Sequence, residues 1–259
     1  MSLNKPIRNW DGYRVWVVGA SSGIGAAFAR TLMGRGARVA LSARNAQALA
    51  EVAASGSAQK TLQLPLDVTR PEEIVAAFDR INSSWSGLDL AVLLAGSHRP
   101  VRAWELDAGQ ARSLVETNLI GAFNASAVLV PAFCRSSHGA IAIVSSVAGY
   151  GGLPSSLVYG ATKAALINFA ETLYLDLAPR GIGVYLVNPG FVKTPLTDRN
   201  EFKMPALISA EKAAKEMIEG FESGKFEIHF PKRFTLWLKL LRLLPYRIYF
   251  PLIHKFTGL

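Results

Sequence analysis

The chain has 259 residues, half of them hydrophobic and 18% charged, with 22 glycines and a single cysteine, Cys134. That length fits one large domain or two small ones and can bury a core without staples; disorder over most of the chain, a disulfide framework and a cysteine-rich zinc site are excluded. The formal charge of +9 is uneven: residues 231–259 hold six basic residues and no acid, leaving 22 basic and 19 acidic residues elsewhere. We therefore divide the chain into a domain over 1–230 and a basic, apolar tail over 231–259. The lone thiol, and an N-terminus (MSLNKPIRNWDGY) without an apolar core, lead to the expectation of a cytoplasmic protein.

Residues 13–19 (YRVWVVG) are a short, β-branched apolar run ending in glycine and predict a buried strand. A helix follows over 25–34, strands over 37–43 (ARVALSA) and 61–66, and a helix over 71–81 with Pro71 in its first turn. Residues 88–95 (LDLAVLLA) are almost wholly apolar, as in strands that a parallel sheet buries on both faces. A long helix over 111–133, a strand over 140–145 (AIAIVS), a helix over 157–177 and a strand over 183–188 continue the alternation. The expected class is α/β: a doubly wound parallel sheet, right-handed crossovers, helices on both faces, and ligands beyond the carboxyl ends of the strands.

The first strand runs into Gly19-Ala-Ser-Ser-Gly23-Ile-Gly25. A sharp turn into a helix that also admits a phosphate to bare backbone needs glycines, and the helix N-terminus adds unpaired N–H groups. A tight turn without a ligand is the plainer alternative. Gly19-x-Ser21-x-Gly23 also matches the nucleophile elbow of serine hydrolases, but that elbow lies deeper in its chain and precedes an acid and a late histidine. No Asp or Glu lies between Gly25 and Glu51, where dinucleotide folds usually place an acid on the ribose 2′-OH. Arg44 stands there instead, and its planar fork suits a 2′-phosphate, so NADP(H) is expected over NAD(H). Tyr159-Gly-Ala-Thr-Lys163 places two side chains on one helix face. An ammonium beside the phenol is expected to pull its pKa down from about 10 and make it a usable proton donor and acceptor. Ser146, 13 residues before Tyr159, closes the preceding strand, where a hydroxyl can reach the same reacting oxygen.

Together Gly19-x-x-x-Gly23-x-Gly25, Ser146, Tyr159-x-x-x-Lys163 and Asn188-Pro189-Gly190 resemble, in order and spacing, the short-chain dehydrogenase/reductase family over residues 13–219. The resemblance implies a Rossmann-type fold and an NADP(H)-dependent oxidoreductase that interconverts a carbonyl and a secondary alcohol. It implies that Tyr159 is the acid/base, Lys163 its activator and a ribose ligand, and Ser146, rather than Ser145, the residue that polarises the carbonyl. Asn118 would anchor a water-linked proton path to the lysine, although a buried helix asparagine ordinarily just bonds backbone. Cofactor contacts are implied for Gly19, Ser21, Ser22, Gly23, Ile24 and Gly25, for Asp67 and Val68 at the adenine, and for Ala95 and Gly96. Pro189, Gly190, Val192 and Thr194 would lie beside the carboxamide. The two long helices carrying Asn118 and Lys163 imply a homodimer or homotetramer. The alternatives are a family member acting on a sugar or acyl-carrier-bound substrate, and a non-catalytic cofactor-sensing scaffold, which would not need Ser146, Tyr159 and Lys163. The chain departs from the family where Thr and Asn-Asn-Ala-Gly are replaced by Val18 and Leu93-Leu94-Ala95-Gly96. Coupled replacement of both ends of a hydrogen bond costs little, so apolar packing is expected to hold those strands.

Tyr150, Leu153, Phe191, Leu196, Phe202, Met204 and Leu207 are mostly apolar and predict a lipophilic small-molecule substrate. His98 and His138 have no metal-spaced partners, and no metal site is expected. In the tail, Leu236, Trp237, Leu240, Leu241 and Leu244 share one face of a helix over 234–244, Thr235, Lys239 and Arg242 lie towards another, and Pro245 and Pro251 break the chain. The tail is too short and too charged to span a bilayer. Such a stripe commonly packs on its own domain or on a neighbouring subunit. Basic residues beside Trp237, Tyr246, Tyr249 and Phe250 also suit an anionic membrane surface, and reversible, peripheral association there is expected. Charges interleaved with so many leucines argue against nucleic acid.

Overall fold

Segments such as RVWVV, LAVL and AIAIV have no polar face, so the strands they form must be covered on both sides. In the computed structural model, which describes residues 2–197 and 204–258, they lie at the centre of a seven-stranded parallel sheet. Its strands are β1 (Arg14–Val18), β2 (Arg38–Ser42), β3 (Thr61–Gln63), β4 (Leu90–Leu93), β5 (Ala140–Val144), β6 (Gly183–Pro189) and β7 (Glu227–Phe230), in the order β3-β2-β1-β4-β5-β6-β7. The helices are α1 (Gly23–Gly34), α2 (Ala46–Ala53), α3 (Pro71–Trp85), α4 (Ala108–Val115), α5 (Gly121–Ser136), α6 (Leu157–Leu177), α7 (Ala210–Glu222), α8 (Lys232–Arg242) and α9 (Tyr246–Thr257). One core layer joins Phe28 and Leu32 of α1 to Met217 and Phe221 of α7. The other joins Phe78 and Ile81 of α3 to Leu129 of α5 and Leu166 of α6. Strand order reverses between β1 and β4, which opens a crevice at their carboxyl ends.

Four elements escape the period-based prediction: α2, α7, β7 and α9. α2 and α7 announce themselves by caps rather than by long apolar runs. The Asn45 side chain accepts from the Ala48 N–H, and Ser209 accepts from the Lys212 N–H. The helix expected over 111–133 is α4 and α5 joined by a π turn, Glu116–Ile120, in which the Gly121 N–H reaches back to the Glu116 carbonyl. Such wide turns often mark functional positions, and this one carries Asn118. Val18 and Leu93 prove to be register partners across β1 and β4, 3% and 6% exposed within one core layer, so the two departures from the family pattern pack against the same apolar interior.

The tail folds back over the carboxyl ends of β5–β7. Leu241, Tyr249 and Ile253 bury together against Leu153, Leu238, Leu244 and Leu252. The Tyr249 hydroxyl donates to the Gly152 carbonyl at 2.9 Å, Thr235 bonds His229 Nδ1 at 2.6 Å, and Lys239 pairs with Glu227. Two expectations are corrected here. The single face expected for Leu236, Trp237, Leu240, Leu241 and Leu244 divides: Leu241 turns into the fold and Leu236, Trp237 and Leu240 are each more than half exposed, while Thr235 is fully buried because its hydroxyl finds partners on β7 and in its own first turn. Pro251 does not break the chain but lies inside α9; the carbonyl it leaves without a donor belongs to Arg247, on the exposed side.

Candidate active site

The turn after β1 is set by backbone contacts. Gly19 has φ +102°, and a Cβ there would lie 2.7 Å from the Ala95 nitrogen. A Cβ on Gly25 would lie 2.1 Å from the Gly19 carbonyl oxygen, so the first turn of α1 packs directly on the loop that feeds it. Ser22, the N-cap, makes no side-chain cap bond and the first turn holds no acid, which leaves its N–H groups and positive dipole end to a ligand. Gly19 and Ser21–Gly25 line a cleft of about 520 Å³. Arg44, Asp67, Val68, Ala95, Gly96, Ser146, Tyr159, Lys163, Pro189, Gly190, Val192 and Thr194 complete the same cleft, with Leu196 and Thr197 beside them. A glycine cradle, an open helix end, an arginine and a string of backbone groups along one crevice fit a nicotinamide dinucleotide. Asp67 lies below the usual carboxylate range, chiefly because the Thr69 N–H bonds it, against an opposing effect of burial.

At the far end stand the side chains that can move protons. Ser145 and Ser146 both line the cleft but differ in their bonds: Ser145 Oγ donates to the Lys163 carbonyl at 2.6 Å, whereas Ser146 accepts from the Ala148 N–H at 3.2 Å. Lys163 is 4% exposed, its ammonium donating to the Val144 carbonyl at 3.0 Å and lying 5.6 Å from the Tyr159 ring centre. Burial drops its pKa to about 8. Tyr159 differs from expectation. Burial pushes the phenol up, only partly opposed by a hydrogen bond with Ser146, because enclosure penalises the phenolate more than its neighbours favour it. Asn118, 1% exposed, lies behind the cleft. Its Oδ1 accepts from the Ser97 N–H at 2.7 Å, and its Nδ2 donates to the Ser97 carbonyl and to Thr162. It thus clamps the backbone after Gly96, whose Cβ, if present, would lie 3.4 Å from Asn118 Oδ1 and 3.7 Å from Lys163 Nζ.

A second cavity, of about 380 Å³, shares Ser146, Tyr159, Gly190, Leu196 and Thr197 with the cleft. Leu153, Phe191 and Leu196 line it as the sequence predicts. Tyr150 does not; its hydroxyl donates to Glu227 at 2.6 Å, since a half-buried phenol needs a partner and finds it on β7. Met204 and Leu207 are not among the described walls, where Pro205 represents their segment, and Phe202 lies outside the described residues. Sequence reasoning weighed His98 itself only as a metal ligand; its side chain lines the chamber and packs edge-on against Tyr159 at 4.5 Å between ring centres. The tail as a wall was missed outright. Phe234, Trp237, Leu238, Leu241, Ile253 and Phe256 of the tail form the outer wall. The tail is latched by Glu227: burial favours its neutral form, but Lys239, Tyr150 and Asn188 together hold it below the usual carboxylate range. Among the described residues no group of three His, Cys, Asp or Glu side chains is placed to hold a metal ion.

The short chain dehydrogenase family pattern matches residues 14–204. The chain belongs to the short-chain dehydrogenase/reductase family and is one of its oxidoreductases. It is 34% identical over 233 residues to an uncharacterized oxidoreductase of Myxococcus xanthus, covering 88% of this chain and 91% of that one. It is 36% identical over 193 residues to the 3-oxoacyl-(acyl-carrier-protein) reductase of Escherichia coli, covering 73% and 77%. Among solved structures, a short-chain dehydrogenase from Burkholderia cenocepacia in complex with NADP superposes with a TM-score of 0.81 at 25% identity, over 96% of this chain and 98% of that one. One from Burkholderia phymatum in complex with NAD does so with a TM-score of 0.82 at 24% identity, over 90% and 94%, a likeness of fold.

Proposed function

We propose that this oxidoreductase uses NADP(H) to interconvert a lipophilic carbonyl compound and its secondary alcohol. The observation that carries this is the seam between the two cavities, where the Ser146 and Tyr159 hydroxyls face both a dinucleotide-sized cleft and an apolar chamber. A nicotinamide cofactor held by the glycine turn, Arg44 and the segment from Pro189 to Thr194 would supply or accept the hydride at that seam. The protein's own side chains handle the oxygen. Tyr159, kept protonated by its burial, gives its proton to the carbonyl oxygen as the carbon is reduced, and Ser146 holds that oxygen in place. Lys163 presents its ammonium to the Tyr159 ring from a site fixed by the Val144 carbonyl, and Asn118 fixes the backbone beside it. The apolar walls exclude water from the reacting groups.

Support for the 2′-phosphate comes from what is already committed at the end of β2. Ser42 Oγ accepts from Trp16 Nε1 and the Asn45 side chain caps α2, which leaves Arg44 to meet the ribose. Arg44→Ala is expected to weaken NADPH binding by about 10–100-fold, the worth of a charge-assisted hydrogen bond, with NADH unaffected. Tyr159→Phe should lower kcat by about 10²–10⁴-fold while NADPH still titrates normally by fluorescence; near-normal turnover would sink the mechanism. For the substrate, kcat/KM over a series of 2-alkanones should rise by up to about fourfold per added methylene until the chamber is full. A 3-oxoacyl thioester, the substrate type in the name of the Escherichia coli relative, belongs in the same series. If it surpasses the free ketones, the acyl-carrier alternative replaces this one.

A further inference from the structure

α8 and α9 are apolar on two sides. Their inner side closes the substrate chamber; their outer side carries Leu236, Leu240 and Leu243 at 54, 57 and 80% exposure, continued by Ile248 and Phe250 at 49 and 53%. A contiguous apolar surface of this kind ordinarily has a partner. Around it Lys232, Arg233, Arg242, Arg247 and Lys255 are all exposed, and none is in an ion pair among the described residues. No acid occurs anywhere in residues 231–259. The remaining base, Lys239, is spent on Glu227 and holds α8 to the sheet. Trp237 and Phe256 connect the two sides. Their rings meet edge-on at 5.8 Å, both are more than half exposed, and both line the chamber.

We propose that this face docks on an anionic lipid bilayer and that the chamber draws its substrate from the membrane past Trp237 and Phe256. The docking stands on the surface alone; the route of entry rests on the lipophilic substrate proposed above. A bilayer of anionic lipid supplies both things the face calls for, negative headgroups around its rim and an apolar layer for its centre. A second copy of the chain supplies the apolar layer but brings the same unpaired cations, which an isologous contact would set against each other. With α8 and α9 in the interface plane, the ring pair at the chamber wall would sit at the depth where a lipophilic ketone partitions.

Vesicle sedimentation of the full chain tests this, comparing phosphatidylglycerol–phosphatidylcholine vesicles with phosphatidylcholine alone. We expect at least about tenfold tighter binding to the anionic vesicles, declining as salt rises. Arg233→Glu with Arg247→Glu should cut that binding by at least about tenfold. Leu243→Ser with Ile248→Ser should cut it comparably. Both pairs should turn over a short, water-soluble ketone with NADPH at the parent rate, which shows that the domain and its pocket are intact. Equal binding to neutral vesicles, absence of binding, or a concentration-dependent dimer that the same pairs dissolve would overturn docking. For entry, a long-chain ketone dissolved in anionic vesicles should be reduced several-fold faster by the parent than by either pair; equal rates would overturn the route. Sedimentation that persists where no ketone is turned over would remove the substrate class and keep the docking.

Discussion

The cofactor cleft and the substrate chamber share Ser146 and Tyr159 but are built from different material. The cleft's phosphate end is backbone: within seven residues, Gly19 to Gly25, a Cβ at either end would collide with main-chain atoms at 2.7 or 2.1 Å. The chamber is side chains drawn from four distant stretches around His98, Leu153, Phe191 and Trp237, and its outer wall is a pair of helices resting on a small cluster and a few polar ties. Backbone packing has no rotamers in which to relax, so the glycine turn tolerates no side chain at either end, whereas the wall can be re-cut residue by residue. The rigid glycine turn thus lies within the part of the chain that matches the family, residues 14–204, and the adjustable outer wall lies beyond it.

Three experiments would break or sharpen that contrast. The largest effect belongs to Gly25→Ala, which must push α1 away from the Gly19 carbonyl and should raise the NADPH dissociation constant about a hundredfold, the usual cost of misplacing a binding element by an ångström. Circular dichroism should show the fold retained. Trp237→Ala removes a wall residue that is half exposed and should raise KM for a long-chain ketone about tenfold without moving NADPH affinity. A change in NADPH affinity there would show that wall and cleft are one unit. The smallest effect is that of pH. Lys163 keeps its charge below about 8, so kcat/KM for NADPH, which reports the free enzyme, should be level near neutrality and fall as pH rises through about 8. The folded state holds this proton less tightly than the unfolded chain, where the value is 10.5, so the lysine's effect on stability becomes more favourable as pH rises from about 8 to 10.5. Lys163→Met should accordingly raise Tm at neutral pH by about 2–4 °C for each kcal/mol of burial cost recovered, while turnover is lost.

Legibility followed the same division. β1 to β6, α1, α3 and α6 could be placed from apolar runs and helical spacing because each obeys a local period. The glycine turn, the serine and the Tyr159–Lys163 pair were likewise visible, since their chemistry demands particular residue types at short spacing. α2 and β7 were not, because they are short and their burial is decided by what they cover; α9 was not, because Pro251 reads as a break; α7 was overlooked although Ala213, Met217 and Phe221 recur at helical spacing. The choice between Ser145 and Ser146 was half visible: spacing favoured the second, and the bond from Ser145 to the Lys163 carbonyl gives the first a structural task. The Tyr159 phenol misled in the other direction, as a lysine four residues away looks activating on a helical wheel, while burial of the phenol itself pushes it up.

By itself the sequence determined the doubly wound class, the glycine turn after β1 and the spacing that sets Tyr159 and Lys163 on one helix face, because sterics at glycine and the helical repeat act over a few residues. It also determined that residues 231–259 are basic and apolar. Which face of α8 points outward was settled only by the tertiary structure. Thr235 turns in because His229 waits for it, Lys239 turns in because Glu227 does, and Leu236 and Leu240 are left outside. α8 is amphipathic, yet it turns Thr235 and Lys239 to β7 and leaves Leu236 and Leu240 outside, so polar partners within the fold it covers set its orientation, not burial of its leucine stripe alone.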